Sequence, residues 1–163
     1  MIIVALTALF FASCNNIIGH KSIEGSGNVT TEKRIVQGDF KSVEVSNAID
    51  VVIEQSDKTE IIVEADDNLQ NSIVTKIENG TLYIGRDNGN FRSNKPQKVY
   101  VKTPIIEEIY ANSASSIKTN NTLKGVNITL KTTSAAKIEA QLAFENITAS
   151  CSSASKINIE GMA

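Results

Sequence analysis

The side chains that could carry out chemistry are one histidine, two cysteines, many serines and several carboxylates. The histidine, His20, follows Cys14 closely in a polar stretch near the N-terminus. A serine or cysteine nucleophile needs a histidine held rigidly beside it, so the serines of this chain have no positioned base. We therefore predict that His20 is a solvated linker residue and that catalysis does not use histidine. Zinc binding is not predicted either, because the cysteines and the histidine form no cluster with ligand spacing.

The carboxylates leave one enzymatic alternative open. Enzymes that cleave polysaccharides can work with Asp, Glu, Lys and Arg and need no histidine. The candidate carboxylates are Asp50, Glu54, Glu60, Glu64, Asp66 and Asp67. They occupy alternate strand positions or turns, where charged side chains face water, so we predict a solvated acidic surface. The stretch 66–68 has oxygens that calcium could bind, but it lacks the spacing of a calcium loop and indicates an acidic turn. No metal or cofactor is expected.

The N-terminus has the pattern of an export signal. Residues 1–12 read MIIVALTALFFA, an apolar run that is too short to span a bilayer and is typical of a secretory signal peptide. Small residues then precede Cys14, which resembles the lipobox of bacterial lipoproteins, although no Lys or Arg precedes the run. The resemblance implies acylation of Cys14 and attachment to a membrane; an ordinary cleaved signal or a buried strand is the alternative. We predict a signal peptide at 1–13, a lipidated tether at 14–28 and one domain at 29–163.

The composition indicates a globular β-protein. Hydrophobic residues make up 41% of the 163-residue chain but aromatic residues only 5%, so Ile, Val, Leu and Ala must fill the core. The net charge of -2 and the lack of a basic stripe argue against nucleic acid as a partner. From residue 29 onward, short runs that alternate apolar and polar residues are separated by turn signals such as Asn79-Gly80. These runs predict strands, and the one weak helical stretch is 66–76.

An internal repeat in the second half of the chain governs the fold prediction. IYANSASSI (109–117), LKTTSAAKI (130–138) and ASCSSASKI (149–157) recur with a period of about 20 residues. A fainter copy, VEVSNAIDV (43–51), lies about three periods earlier. The aligned copies form an apolar column, a small-residue column and a shared alanine, which we interpret as strands stacked in register around a bend with room only for a methyl group. The repeat predicts an all-β fold, a β-helix or β-solenoid, with a β-sandwich as the alternative.

Two longer segments carry a family resemblance. FKSVEVSNAIDVVIEQSDKTEIIVEADDNL (40–69) and IENGTLYIG (77–85), followed by the Ser/Ala repeats, resemble the head GIN domain of auto-transporter adhesins. This family is common in exported proteins and lipoproteins of Bacteroidetes-type bacteria, and the resemblance extends from Gly38 to the C-terminus. It implies a right-handed parallel β-helix, adhesion or structural display at a surface, and no catalytic residues. Such domains usually continue through further coils, so we expect this one to be incomplete at its C-terminus.

These observations predict an exported, lipid-anchored binding or structural module of the bacterial cell envelope, on its periplasmic face or at the cell surface, without catalysis. The alternative is a carbohydrate-active enzyme, a polysaccharide lyase or hydrolase on a β-helix scaffold. The expected partners are the membrane, through the lipid on Cys14, and a protein or glycan on the polar face. Two carboxylates converging with a Lys or Arg in one groove would favour the enzyme.

The repeat register also predicts which side chains are buried. An apolar set should lie inside and a set of lysines outside, namely Ile109, Ile117, Leu130, Ile138 and Ile157 against Lys131, Lys137 and Lys156. Cys151 falls in the inward column and is expected to be a buried free thiol. No capping segment follows the last copy, so we expect an open C-terminal edge that can self-associate.

Overall fold

The computed structural model describes residues 22–35, 37–87 and 91–162, which form fourteen strands and one short 3-10 helix at Asp67–Ser72. The strands are β1 (Ile23–Glu24), β2 (Val29–Arg34), β3 (Ser42–Val45), β4 (Asp50–Gln55), β5 (Glu60–Asp66), β6 (Ile73–Glu78), β7 (Thr81–Arg86), β8 (Phe91–Arg92), β9 (Lys98–Thr103), β10 (Glu108–Ala111), β11 (Ser116–Thr119), β12 (Leu123–Thr132), β13 (Lys137–Cys151) and β14 (Lys156–Met162). The alternating runs predicted between residues 29 and 103 all form strands.

Twelve of these strands form one sheet that is nearly closed and has a mixed strand order. Along the sheet the order is β2-β5-β9-β4-β11-β13-β12-β10-β3-β7-β6, and β14 adds to β13, while β1 and β8 pair with each other. The all-β prediction is confirmed. The prediction of a right-handed parallel β-helix or β-solenoid with coils of about 20 residues is wrong. The β-sandwich alternative is not formed either, because the strands are not divided between two packed sheets.

Antiparallel pairs in the first half of the chain break the solenoid pattern. Asn79 and Gly80 join β6 to β7 with φ angles of 51° and 76°, which a two-residue hairpin turn requires. β5 also runs antiparallel to both β2 and β9. A parallel pair needs a long crossover connection, whereas a two-residue turn returns the chain antiparallel to the strand it has just left. The two-residue turn therefore explains why β6 and β7 run antiparallel instead of forming successive parallel coils.

The repeats do predict the register of the second half correctly. Ile109 pairs with Val43 on one side and with Leu130 on the other, and Leu130 pairs with Ala149. Like residues therefore lie beside like residues, as the alignment of the copies required. The fainter copy is not three coils away, however, because Val43 lies directly beside Ile109 and the chain between the two copies forms β5–β9 instead of further coils.

The alanine shared by the copies lies at a bend in every case. The four residues have φ angles between 56° and 60°, and each follows a residue that is also in the left-handed region: Ala48, Ala114, Ala135 and Ala154. The predicted bend is confirmed, but the predicted reason is wrong, because all four methyl groups are exposed. Two consecutive left-handed residues turn the chain here, and lack of space plays no part.

The core is aliphatic and follows the predicted alternation. The inner members of the predicted apolar set are all fully buried: Ile109, Ile117, Leu130 and Ile138. Ile157 is only partly buried because it belongs to β14, at the edge of the sheet. Lys131 and Lys156 are exposed as predicted, whereas Lys137 is half-buried. One face of each repeat strand therefore packs inside, and burial decreases toward β14.

Candidate functional site

A groove lies beside the part of β12 that has no neighbouring strand on one side. β9 is followed by Pro104, which has no N–H with which to continue a strand ladder. The chain rejoins the sheet as β10, whose pairing with β12 begins at Glu108 and Thr129. Residues 123–128 of β12 therefore project beyond β10. The space between them and the loop 104–107 is a groove of about 560 Å³, which we call the β12 groove and which has the volume of a typical ligand site.

The floor of the β12 groove is buried and apolar, and its rims carry exposed aliphatic side chains. Ile106 and Phe144 form the floor and are 2% and 3% exposed. Ile105 on the loop and Val126 on β12 are 49% and 55% exposed. At Gly125, a Cβ atom would lie 2.6 Å from Cε1 of Phe144, so the ring packs directly against the backbone. Exposed apolar groups that face one groove from both sides are typical of an interaction site.

The side chain of Gln55 takes the place of a strand partner at one end of the groove. Its Oε1 accepts a hydrogen bond from the N–H of Lys124 at 2.7 Å, and its Nε2 donates to the carbonyl oxygen of Lys124 at 3.1 Å. The same Nε2 donates to the carbonyl oxygen of Pro104 at 2.9 Å. One amide thus pairs with both backbone groups of Lys124, as a neighbouring strand would, and connects the two walls of the groove.

Gln55 is itself fixed through its backbone. Its N–H donates to Oδ1 of Asn121 at 3.0 Å, and Nδ2 of Asn121 donates to its carbonyl oxygen at 2.9 Å. On the loop side of the groove, Glu107 forms an ion pair with Lys41 at 2.9 Å. The groove therefore has one rigid polar end and an apolar middle, an arrangement that binds by shape and by a few placed hydrogen bonds.

The predicted lipid-attachment residue, Cys14, lies outside the described residues, as do His20 and the predicted signal peptide at 1–13. Only the last part of the predicted tether, from residue 22 to residue 28, is described, and its β1 pairs with β8. Within the described ranges, no helix is long and apolar enough to cross a membrane. The lipoprotein assignment stays a prediction.

The predicted acidic turn at 66–68 forms hydrogen bonds with the N-terminal segment at 26–28. Asp66 is fully buried, so the prediction that it faces water is wrong, and it accepts a hydrogen bond from the N–H of Gly27 at 2.9 Å. Asp67 accepts hydrogen bonds from the side chains of Ser26 and Asn28. These two bonds, chiefly the one from Ser26, lower the pKa of Asp67 below its ordinary value. No group of three His, Cys, Asp or Glu residues suited to a metal ion occurs in the described part of the chain.

Glu54 and Glu60 belong to a row of alternating charges across neighbouring strands. Lys33 lies 2.8 Å from Glu60, and Lys102 lies 3.5 Å from Glu54. Lys102 is also the register partner of both glutamates. The hydrogen bond from Lys33 lowers the pKa of Glu60. Both glutamates are half-buried and paired with lysines, so this part of the predicted acidic surface is only partly solvated.

The remaining two candidate carboxylates lie on different strands. Asp50 is exposed at the start of β4, and Glu64 accepts a hydrogen bond from the hydroxyl of Tyr100 at 3.2 Å. Three shallow grooves of 260 to 320 Å³ do each hold two carboxylates with a Lys or Arg. In the described ranges, however, every carboxyl with a shifted pKa is shifted downward, as Glu139 is by Lys137. A general acid needs the opposite shift.

Cys151 is a free, exposed cysteine, so the prediction of a buried thiol is wrong. It aligns with Thr132 on β12, which is buried, and the column assignment is therefore correct. β14 pairs only with residues 137–143 of β13, so no described strand lies beside Cys151 on its outer side. Position in the last layer, rather than position in the column, decides its exposure.

The sequence did not predict the β12 groove. One usable signal exists in the repeat register, which pairs Gly125 with Phe144. A glycine aligned with an aromatic residue in the neighbouring copy marks a place where a ring packs against backbone.

The fold is that of an all-β protein, and an apolar groove opens beside β12. The chain belongs to the family described as "Putative auto-transporter adhesin, head GIN domain", whose model matches residues 39–163. The resemblance found in the sequence is thereby confirmed. Membership in an adhesin-like family indicates an extracellular or envelope protein. No curated protein matches the sequence.

Solved structures share the fold. A "putative adhesin" from Bacteroides fragilis has a TM-score of 0.79 and 19% identity, over 86% of this chain and 66% of its own. A "putative adhesin" from Parabacteroides distasonis has a TM-score of 0.77 and 18% identity, over 85% and 59%. A "Putative lipid binding protein" from the same species has a TM-score of 0.67 and 20% identity, over 86% and 70%. The chain therefore spans less than two thirds of the length of both adhesins.

Proposed function

We propose that this chain is the binding head of a lipid-anchored envelope protein and that it acts by contact with a partner, without catalysis. The observation that carries the proposal is the β12 groove, in which exposed aliphatic side chains border a buried floor. Family membership supports adhesin-like binding. The apolar run and Cys14 support export and attachment to a membrane.

The occupant that fits the groove is an extended polypeptide segment of another protein, with aliphatic side chains. In the described part of the chain, residues 123–128 of β12 have no strand beside them on the groove side. Gln55 already makes the hydrogen bonds that a strand would make to Lys124. An added segment would continue this edge by β-augmentation. Ile105 and Val126, on opposite rims, would contact its alternate side chains.

A glycan or an acyl chain fits the groove less well. The aromatic ring that lines it, Phe144, is buried and offers no open face to a sugar ring. The polar end built from Gln55 has no role in holding an acyl chain, because an acyl chain has no backbone groups to pair. The carbohydrate-active enzyme fits less well for a further reason: the groove contains a single carboxylate, Glu107, which is paired with Lys41.

The test is peptide binding to the full chain, with one rim residue changed. The probe is a fluorescein-labelled heptapeptide that alternates valine and threonine, followed by fluorescence anisotropy. Val126→Asp should weaken binding at least about tenfold, because it removes apolar contact and leaves a carboxylate in an apolar groove. Since Val126 is 55% exposed, the substitution should not unfold the domain.

Ile35→Asp is the matched control. Ile35 is 94% exposed and does not line the β12 groove, so this change adds the same charge without altering the groove. Equal affinities for the heptapeptide in the two variants would refute the proposal. The wild type could instead bind labelled dodecanoate or maltoheptaose but not the peptide, and lose that binding in Val126→Asp. This result would show that the groove binds an acyl chain or a glycan and not a polypeptide.

A further inference from the structure

A row of side chains crosses the outer face of the sheet on neighbouring strands. The register pairs Tyr83 of β7 with Glu44 of β3, and Glu44 with Tyr110 of β10. Lys76 of β6 and Lys131 of β12 extend the row at its two ends. We call these five residues the tyrosine row. Both tyrosines and Glu44 are half-buried, so each presents part of its side chain to solvent. Two tyrosines therefore flank one carboxylate on an accessible face.

Two grooves adjoin at Glu44. The larger has a volume of about 320 Å³ and is lined by Glu44 and Tyr83. The smaller has a volume of about 110 Å³ and is lined by Glu44 and Tyr110. None of the residues that line them belongs to the β12 groove. Because Glu44 borders both grooves, one extended ligand can occupy the two of them together.

A glycine opens the floor of the larger groove. Gly85 lies two residues after Tyr83, on the same face of β7, and has no side chain to fill the space. A Cβ atom at Gly85 would lie 2.7 Å from Oγ of Ser46, so this hydroxyl lies against the backbone of the floor. Arg86 also lines the groove, and burial lowers the pKa of its guanidinium. The groove thus combines an aromatic ring, a hydroxyl, a carboxylate and a guanidinium.

The formal charges that line the larger groove cancel. Lys76 and Arg86 are the cations, and Glu44 and Asp87 are the anions. Lys76 also forms an ion pair with Glu78 at 3.0 Å. A strongly charged ligand would therefore gain little from this groove. A ligand with many hydroxyl groups can use its donors and acceptors at once, because a hydroxyl both donates and accepts hydrogen bonds.

The tyrosines offer ring faces to a sugar. One face of the Tyr83 ring is open enough to receive the ammonium of Lys76, whose Nζ lies 5.7 Å from the ring centroid. Such contacts are weak at exposed sites, so a sugar ring can displace the ammonium. The C–H groups of a pyranose ring stack on the electron-rich face of an aromatic ring. Tyr83 and Tyr110 are two strands apart, or about 9–10 Å, which is close to the spacing of alternate rings in a cellulose-type chain.

We propose that the tyrosine row binds an extended, neutral glycan of β-linked pyranoses, at a site separate from the β12 groove. One sugar ring stacks on Tyr83, and the next ring but one stacks on Tyr110. Glu44 accepts hydrogen bonds from hydroxyls of the ring between them. Ser46 and Arg86 bind the hydroxyls of the ring at Tyr83. A few placed polar groups beside apolar ring faces fix the orientation of such a ligand.

Isothermal titration calorimetry of the full chain tests the site. The probes are cellohexaose, β-linked mannohexaose and chitohexaose. Tyr83→Ala should weaken the binding of a hexasaccharide at least about tenfold, because it removes the ring on which the sugar stacks. Tyr100→Ala is the matched control and should leave the affinity unchanged. Tyr100 is also half-buried on the outer side of a strand, but it lines neither groove.

Two further variants separate the parts of the site. Glu44→Gln keeps the shape of the side chain and should fold normally, but it should weaken hexasaccharide binding at least about fivefold because it removes a charged acceptor. Tyr110→Ala should weaken the binding of cellohexaose and leave that of cellobiose unchanged, because a disaccharide occupies only the larger groove. Val126→Asp should not change hexasaccharide binding, which distinguishes this site from the β12 groove.

Three results would overturn the proposal. The first is that none of the three hexasaccharides binds, and the second is that Tyr83→Ala and Tyr100→Ala bind them equally well. The third is that polygalacturonate binds and the neutral hexasaccharides do not, which would show a ligand of the wrong charge. The hexasaccharide should also be recovered intact after incubation with the protein. Cleavage products in mass spectrometry would contradict a site that binds without catalysis.

Discussion

Replacing Ile138 by alanine tests the stacked core most directly. The side chain is fully buried and lies between Ile117 and Ile157 on the neighbouring strands. The carbon atoms that are lost contribute about 0.8 kcal/mol each, or roughly 2–2.5 kcal/mol together. The strands on both sides prevent the cavity from closing, so the expected loss in the free energy of unfolding rises to about 3–4 kcal/mol. This value is within the range for Ile→Ala in protein cores.

Ile157→Ala is the matched control because it makes the same chemical change one layer further out. Ile157 is only partly buried, and no described strand lies beyond it. Water can fill the space that its side chain leaves, so the cavity contribution disappears and the expected loss is about 1–2 kcal/mol. The difference between the two variants isolates the effect of having a strand on both sides.

Urea titration of the full chain, followed by circular dichroism, measures both losses. The midpoint should fall further for Ile138→Ala than for Ile157→Ala, while the dependence on urea stays unchanged. A loss for Ile138→Ala of less than about 1 kcal/mol would refute its burial between two strands. A loss for Ile157→Ala as large as that for Ile138→Ala would show that Ile157 is covered in solution.

Three further predictions concern the bends, the acidic turn and the lipid. Ala135→Val should lower the free energy of unfolding by about 1–2 kcal/mol in the urea titration, although the residue is exposed, because a β-branched side chain is strained at its φ of 59°. Ala143→Val, on a strand, should change it by less than about 0.5 kcal/mol. The lowered pKa of Asp67 means that its hydrogen bonds stabilise the fold above its ordinary pKa of 3.8 and are lost as the pH falls through the lower pKa of the folded state. The difference in stability between the wild type and Asp67→Asn should therefore shrink on acidification. A difference that grows would contradict this. Cys14→Ala should move the protein from the membrane to the soluble fraction or leave it uncleaved, and a wild-type N-terminal peptide without acyl mass in mass spectrometry would refute the lipid anchor.

The sequence by itself determined the strands, their inward faces and the register of the second half. Alternation with a period of two assigns each side chain to a face, and a one-residue slip would move Ile138 out of the core, so pattern and burial must agree. The Ser/Ala bends were also readable, since the copies repeat the same dipeptide where the chain turns. Such features depend on residues close in the chain or on the repeat itself.

Only the tertiary structure decided the strand order, the β12 groove and the exposure of the last layer. Val43 lies directly beside Ile109, although the chain between them forms β5–β9, and no repeat period could show this. The groove exists because Gln55 meets β12 from a distant part of the chain, through hydrogen bonds to Lys124. These properties depend on which segments become neighbours. The free energy of the whole sheet determines this pairing, and no single stretch of sequence does so.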